Sequence, residues 1–190
     1  MTDVVLKCNC GTLEAVVTDV SPHHGTRVTC YCDDCRAGTR IMYPNDDCLD
    51  GVGIFQTDPD KLYIRAGHDQ LANFSLSPRG LLRWYAKCCD TPMFNTMRSS
   101  RLPFVGVLLS ANDDNSVFGP IRAQGFIKTA DGKIQHKGMF LMVSRMFRRI
   151  IASLVTGRWR KTPFFDTRTN TPIQEPWLVR SDDKAKAYAR

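Results

Sequence analysis

The sequence predicts a mainly β protein of short antiparallel strands with a C-terminal amphipathic helix and tail. Three observations carry this reading. Short apolar runs separated by turn residues fill the first two-thirds of the chain, the apolar spacing becomes helical after Gly138, and the cysteines fall in tight groups. The chain has 190 residues, enough for one core of ordinary size with appendages. Hydrophobic residues make up 43% and charged residues 24%, the balance of a globular protein able to offset its chain entropy. The expected division is a domain over 1–137 and a basic helix with a C-terminal arm packed on it over 138–190.

Strands are expected at VVLKC near Val4, LEAVVTD from Leu13, TRVTC into Cys30, GIFQ near Ile54, KLYIR from Lys61 and LANFSLS from Leu71. Leu62, Ile64, Phe74 and Leu76 alternate with polar neighbours, as a half-buried sheet requires. Asp50-Gly51, Ser77-Pro78-Arg79-Gly80 and Asn112-Asp113-Asp114-Asn115 supply turns.

In MFLMVSRMFRRIIASLVTG, Phe140, Val143, Phe147, Ile150, Ile151 and Leu154 recur at helical intervals, and Gly157 is a C-terminal stop. Arg145, Arg148 and Arg149 fall largely off that stripe. Such a helix is expected to pack its stripe on the sheet and leave its cations in solvent. The alternative is a membrane-surface or partner-binding helix. After Pro163 the chain reads as a wrapping arm. Trp159 before it, and Phe164 and Phe165 within it, read first as core residues.

The formal net charge is +7, and Ile121–Pro163 holds ten Lys/Arg against one acid, Asp131. A basic segment attracts nucleic acid, anionic membranes or acidic small molecules without naming one. The N-terminal MTDVVLKCNCG lacks the apolar run of a signal peptide, and no stretch reaches a membrane span, so a cytoplasmic location is expected. Thiols stay reduced there, which favours metal or catalytic use of eight cysteines over disulfides.

Seven of those cysteines form three groups: Cys8 and Cys10, then Cys30, Cys32 and Cys35, then Cys88 and Cys89. Cys48 stands apart and reads as an ordinary thiol. Thiolates two or three residues apart on a tight turn reach one zinc ion without straining the backbone. Two arrangements follow. Cys8, Cys10 and the Cys88/Cys89 pair share one structural ion, leaving Cys30, Cys32 and Cys35 with an open fourth position; or Cys8 and Cys10 join Cys32 and Cys35 in a single site.

The motifs CNCG at Cys8, CYCDDCR at Cys30 and RWYAKCCDTPMFN at Arg83 together resemble the glutathione-dependent formaldehyde-activating enzyme and centromere protein V family, over about residues 4–110. The resemblance implies a zinc-bearing β-tent. It also implies a structural zinc on Cys8, Cys10 and Cys89, and a second zinc on Cys30, Cys32 and Cys35 that engages the glutathione thiol for addition to formaldehyde. The last motif departs from the family's CxxCG, with Ala86 at the first cysteine and Asp90 at the glycine. Cys88 or Asp90 is then the candidate fourth ligand. Tyr31 stands where many members carry histidine and reads as a spacer.

Other candidates are weaker. Asp33 and Asp34 suit either a proton relay or local turn hydrogen bonds. Arg36 and Arg83 suit a glutathione carboxylate or a structural salt bridge. His23 and His24 precede the middle motif in what reads as a surface turn, and His68 and His136 offer nothing specific. The expected function is a carbon–sulfur lyase-like zinc protein holding one or two ions. The alternative is a non-enzymatic zinc module presenting its basic segment to a partner, nucleic acid or an anionic surface.

Overall fold

The computed structural model describes residues 2–43, 51–110 and 114–189; Cys48, Asp50 and the Asn112-Asp113 turn lie outside them. The chain runs β1 (Thr2–Lys7), β2 (Glu14–Val20), β3 (Thr26–Cys30), α1 (Asp33–Met42), β4 (Val52–Thr57), β5 (Leu62–Ala66) and β6 (Leu71–Ser75). It continues through β7 (Leu82–Ala86), β8 (Thr91–Thr96), β9 (Val105–Leu109), β10 (Ala123–Lys128), β11 (Ile134–Lys137) and α2 (Met139–Val155). The last elements are β12 (Phe165–Asp166), β13 (Thr171–Pro172), β14 (Trp177–Leu178) and α3 (Ser181–Tyr188).

The fold is mainly β, as the alternating runs require. A large sheet has the order β11-β10-β3-β4-β9-β8-β7-β6-β14, and a smaller one the order β1-β2-β5. Pairing is antiparallel except where β10 meets β3 and β14 meets β6. The terminal strands of the large sheet do not meet, so it is open and forms no barrel. In β5, Leu62 and Ile64 turn inward while Tyr63 and Arg65 face out. The inward residues join Val17, Phe55, Trp84, Phe94 and Val107 in one core between the two sheets.

The tail contributes to that core. Phe164 is fully buried, with its ring centroid 5.0 Å from Trp84 and 5.5 Å from Phe94. Truncating a side chain in such a place costs about 3–5 kcal/mol, because the cavity left behind collapses only in part. Further along, α3 lies on α1: Ala187 and Val179 join Ala37, Phe74 and Leu76 in a second apolar cluster, and Arg40 Nη1 donates to the Ala187 carbonyl at 3.1 Å.

The helix expected after Gly138 is present as α2, and Gly157 follows it at φ 73°. Its orientation differs from expectation. Phe140, Phe147, Ile151 and Leu154 are exposed, and only Ile150 of the stripe is buried. The face against the sheet instead carries Arg149, Ile150 and Ser153. The reason is electrostatic: Asp58, buried after β4, draws Arg149 inward, with Nε 3.5 Å from Asp58 Oδ1. Periodicity groups residues on a face but does not say which face meets the sheet.

Among the described residues no helix is long and apolar enough to cross a membrane.

Candidate metal centre

The fold brings seven of the cysteines into two separate groups, Cys8, Cys10, Cys88 and Cys89 in one and Cys30, Cys32 and Cys35 in the other. The arrangement in which Cys8 and Cys10 share a site with Cys32 and Cys35 is therefore excluded. Within each group every thiol sulfur lies within 4.8 Å of the others.

In the outer group, the turn after β1 presents Cys8 and Cys10, and the β7–β8 turn presents Cys88 and Cys89. A tetrahedron with bonds of about 2.3 Å has edges of about 3.8 Å. The Sγ separations are 3.5 Å for Cys8–Cys10, 3.7 Å for Cys8–Cys88, 3.3 Å for Cys10–Cys88 and 3.8 Å for Cys88–Cys89. The four thiols thus fit a closed tetrahedral ion. The Leu13 amide adds a hydrogen bond to Cys8 Sγ at 3.2 Å, which orients that sulfur.

The missing CxxC cysteine has a local explanation. Ala86 is fully buried and pairs with Leu71 and Thr91, so its side chain belongs to the core. Cys88 takes its place among the thiols. Asp90 does not join them; it adopts φ 55°, a left-handed conformation that aspartate tolerates at a tight turn.

In the middle group, Cys30 ends β3 and Cys35 sits in the first turn of α1. The CYCDDC segment, read from sequence as a turn, in fact starts this helix. Cys32 is the N-cap, its sulfur accepting from the Cys35 amide at 3.3 Å, and Asp33 and Asp34 in the first turn complement the helix dipole. Cys30 Sγ lies 3.3 Å from Cys32 Sγ. Without a metal, Cys32 is held far below the usual thiol range by hydrogen bonds from Cys30 first and Cys35 next, with Arg83 adding its charge. Its two neighbours are pushed up in return, Cys30 by its bond to Cys32 and Cys35 by its bonds to both. Sharing of this kind marks sulfurs close enough to take one cation.

Among the described residues this group has three thiols where the outer one has four. A cavity of about 330 Å³ opens beside it, lined by Tyr31, Cys32, Asp33 and Asp34. The opposite wall is Phe126, Lys128 and Ile134, from the β10–β11 hairpin. Lys128 Nζ pairs with Asp33 Oδ1 at 3.1 Å. Phe126 reaches the cavity from a register break in β10 and has φ 63°, an uncommon conformation for an aromatic residue. The Phe126 amide donates to His136 Nδ1 at 3.1 Å, which holds the bulge in place.

The remaining candidates take structural places. Arg83 is buried under α1, where Nη2 donates to the Asp34 carbonyl at 2.8 Å; neither it nor Arg36 lines the cavity. The hydroxyl of Tyr31 lies 3.5 Å from Gln124 Nε2. His23 and His24 join neither thiol group. Sequence reasoning missed Phe126, Lys128 and Ile134, because a bulge that aims a side chain leaves no periodic mark. It also missed α1, for which the acidic pair just after a capping residue was the available signal.

A profile of the family of unknown function DUF6151 matches residues 1–175. The chain belongs to that family. The DUF6151 match spans both thiol groups and α2, while α3 lies beyond it. A Rhodobacter sphaeroides protein of known crystal structure is similar at 17% identity, over 62% of this DUF6151 chain and 97% of its own length, with a TM-score of 0.44. No curated protein matches the chain.

Proposed function

We propose that this protein is a zinc-dependent carbon–sulfur lyase-like protein, in which the middle group receives a small thiol such as glutathione and joins it to formaldehyde or a related aldehyde. One observation carries the reading: a closed four-thiol group stands apart from a three-thiol group that opens on a cavity. The resemblance of the three cysteine motifs to the glutathione-dependent formaldehyde-activating family supports it. Zinc on Cys30, Cys32 and Cys35 would supply an acidic position that lowers the pKa of a bound thiol.

The chain's own residues suit the rest of the task. Lys128 places a cation at the mouth, where a substrate carboxylate passes. Phe126 and Ile134 present an apolar surface on the opposite side of the cavity. Asp33 or Asp34 can hold the thiol proton and return it to the oxygen. In the addition, the sulfur–carbon bond forms as the carbonyl π bond breaks, and that proton ends on the new hydroxyl.

The test is metal content per chain for the wild type, Cys32→Ser and Cys89→Ser, followed by turnover with glutathione and formaldehyde. Two ions, each lost in a different variant, support separate outer and middle sites; a single ion lost in both contradicts them. Turnover no faster than the uncatalysed reaction sinks the enzymatic reading.

The exposed stripe of α2 favours a second reading, in which the basic segment rests on an anionic membrane. Phe140 is 88% and Val155 82% exposed, a contiguous apolar edge beside Arg148. Salt-sensitive sedimentation with anionic but not neutral vesicles, lost in Phe147→Asp, is the expected result. Binding to nucleic acid in its place counts against the membrane.

A further inference from the structure

A second cavity, of about 230 Å³, lies between α2 and the segments that follow β2 and β4, and it shares no residue with either thiol group. Three stretches of chain bring cations to it: Lys61 from the turn after β4, Arg148 and Arg149 from α2, and Arg158 from the turn beyond it. His23, His24, Ala152 and one carboxylate, Asp58, complete the wall.

The hydrogen-bonding capacity of these cations is not used up. Arg149 is 8% exposed, its Nη1 donates to Thr26 Oγ1 at 3.3 Å, and its Nη2 has no hydrogen-bond partner among the described residues. Asp58 stands 3.5 Å from Arg149 Nε and 3.8 Å from Arg158 Nη2, distances that ease the charge without filling the donors. Arg158 Nη1 faces Asp60 Oδ2 at 3.6 Å, and Lys61 is committed to Asp19. Arg148 makes no ion pair among the described residues. A buried guanidinium donor without an acceptor is costly, and the site is arranged to receive one.

We propose that this cavity binds a phosphoryl oxyanion, through the unpartnered edge of Arg149 together with Arg148 and Arg158. A carboxylate is matched by one guanidinium fork, whereas guanidinia converging from separate segments suit the several oxygens and higher charge of a phosphate group. The cavity is smaller than the roughly 300–1,000 Å³ typical of drug-sized ligands, so the ligand is inorganic phosphate, a small phosphate ester, or the headgroup of an anionic lipid. These share one chemistry, and the measurement separates them.

The full chain is titrated calorimetrically with inorganic phosphate at fixed ionic strength, with chloride as the control, and is sedimented with vesicles containing phosphatidic acid. Arg149 is a buried partner of Asp58, so the informative variants are Arg148→Gln and Arg158→Gln at the rim. Saturable one-site binding of phosphate, weakened tenfold or more by either variant, is expected for a free phosphate ligand. Vesicle association weakened to the same degree but retained in Phe147→Asp, without binding of free phosphate, assigns the site to a headgroup. Cys32→Ser should bind as the wild type does, which separates this site from the proposed thiol chemistry. Absence of both kinds of binding, or binding that persists in both arginine variants, overturns the proposal.

Discussion

The hydroxyl of Tyr188 donates a hydrogen bond to Asp34 Oδ1, tying α3 to the first turn of the helix that carries Cys35. The contact spans 154 residues of sequence and sets the C-terminal helix against the wall of the middle cavity. Removing the hydroxyl in Tyr188→Phe keeps the ring packed and loses a charge-assisted bond. The expected cost is about 1 kcal/mol in urea unfolding, since the site is partly solvated. A variant with an unchanged midpoint would show that α3 is held by its apolar contacts alone.

Cys32 is both a candidate ligand and the N-cap of α1, and serine can keep the second role without the first. In metal-free protein, Cys32→Ala should therefore be less stable than Cys32→Ser by about 1 kcal/mol, the value of a lost cap. Equal stabilities would mean that the sulfur does not cap the helix.

Gly38 lies in the middle of α1, where alanine would ordinarily favour the helix by about 1 kcal/mol. A Cβ there would stand 2.6 Å from Arg83 Nη1 and 2.7 Å from Arg83 Cζ. Arg83 is buried and has little room to retreat. Gly38→Ala should therefore lower stability by about 1–3 kcal/mol despite its helix propensity. Thermal unfolding decides the sign.

Burial pushes the Asp58 carboxyl up to about 6, against opposing attraction from Arg149 and Arg158. Because the folded protein holds this proton more tightly than the unfolded chain, the contribution is greatest below the unfolded value of 3.8 and is lost as pH rises through about 6. The expected loss is roughly 3 kcal/mol between those limits. Asp58→Asn, a neutral isostere, should remove that part of the slope. Unfolding free energies compared at pH 4 and pH 7 provide the check, and parallel profiles would refute the assignment.

The strands up to β6 were legible because each is a short run with its own turn residues, and α2 because its period is regular. The β7–β8 hairpin was visible only as a cysteine motif, since Trp84 and Tyr85 adjoin charged neighbours that hide the alternation. The helix α1 was hidden by Gly38, a residue explained by Arg83 from a distant strand. At the site, spacing identified the cysteines but left their grouping open between two arrangements, because grouping depends on which turns meet across the sheets. The cation-lined cavity was not legible at all: Asp58, Arg149 and Arg158 converge only once α2 turns Arg149 inward.

The two thiol groups also differ in when the chain can build them. Cys30, Cys32 and Cys35 lie within a single short segment, so they leave the ribosome together and can meet an ion before most of the sheet exists. Cys8 and Cys88 are 80 residues apart, and the outer group cannot assemble until the β7–β8 turn has emerged and docked. Sharing an ion there closes a long loop, so any ion on the outer group acts as a latch between the N-terminal strand and the middle of the chain.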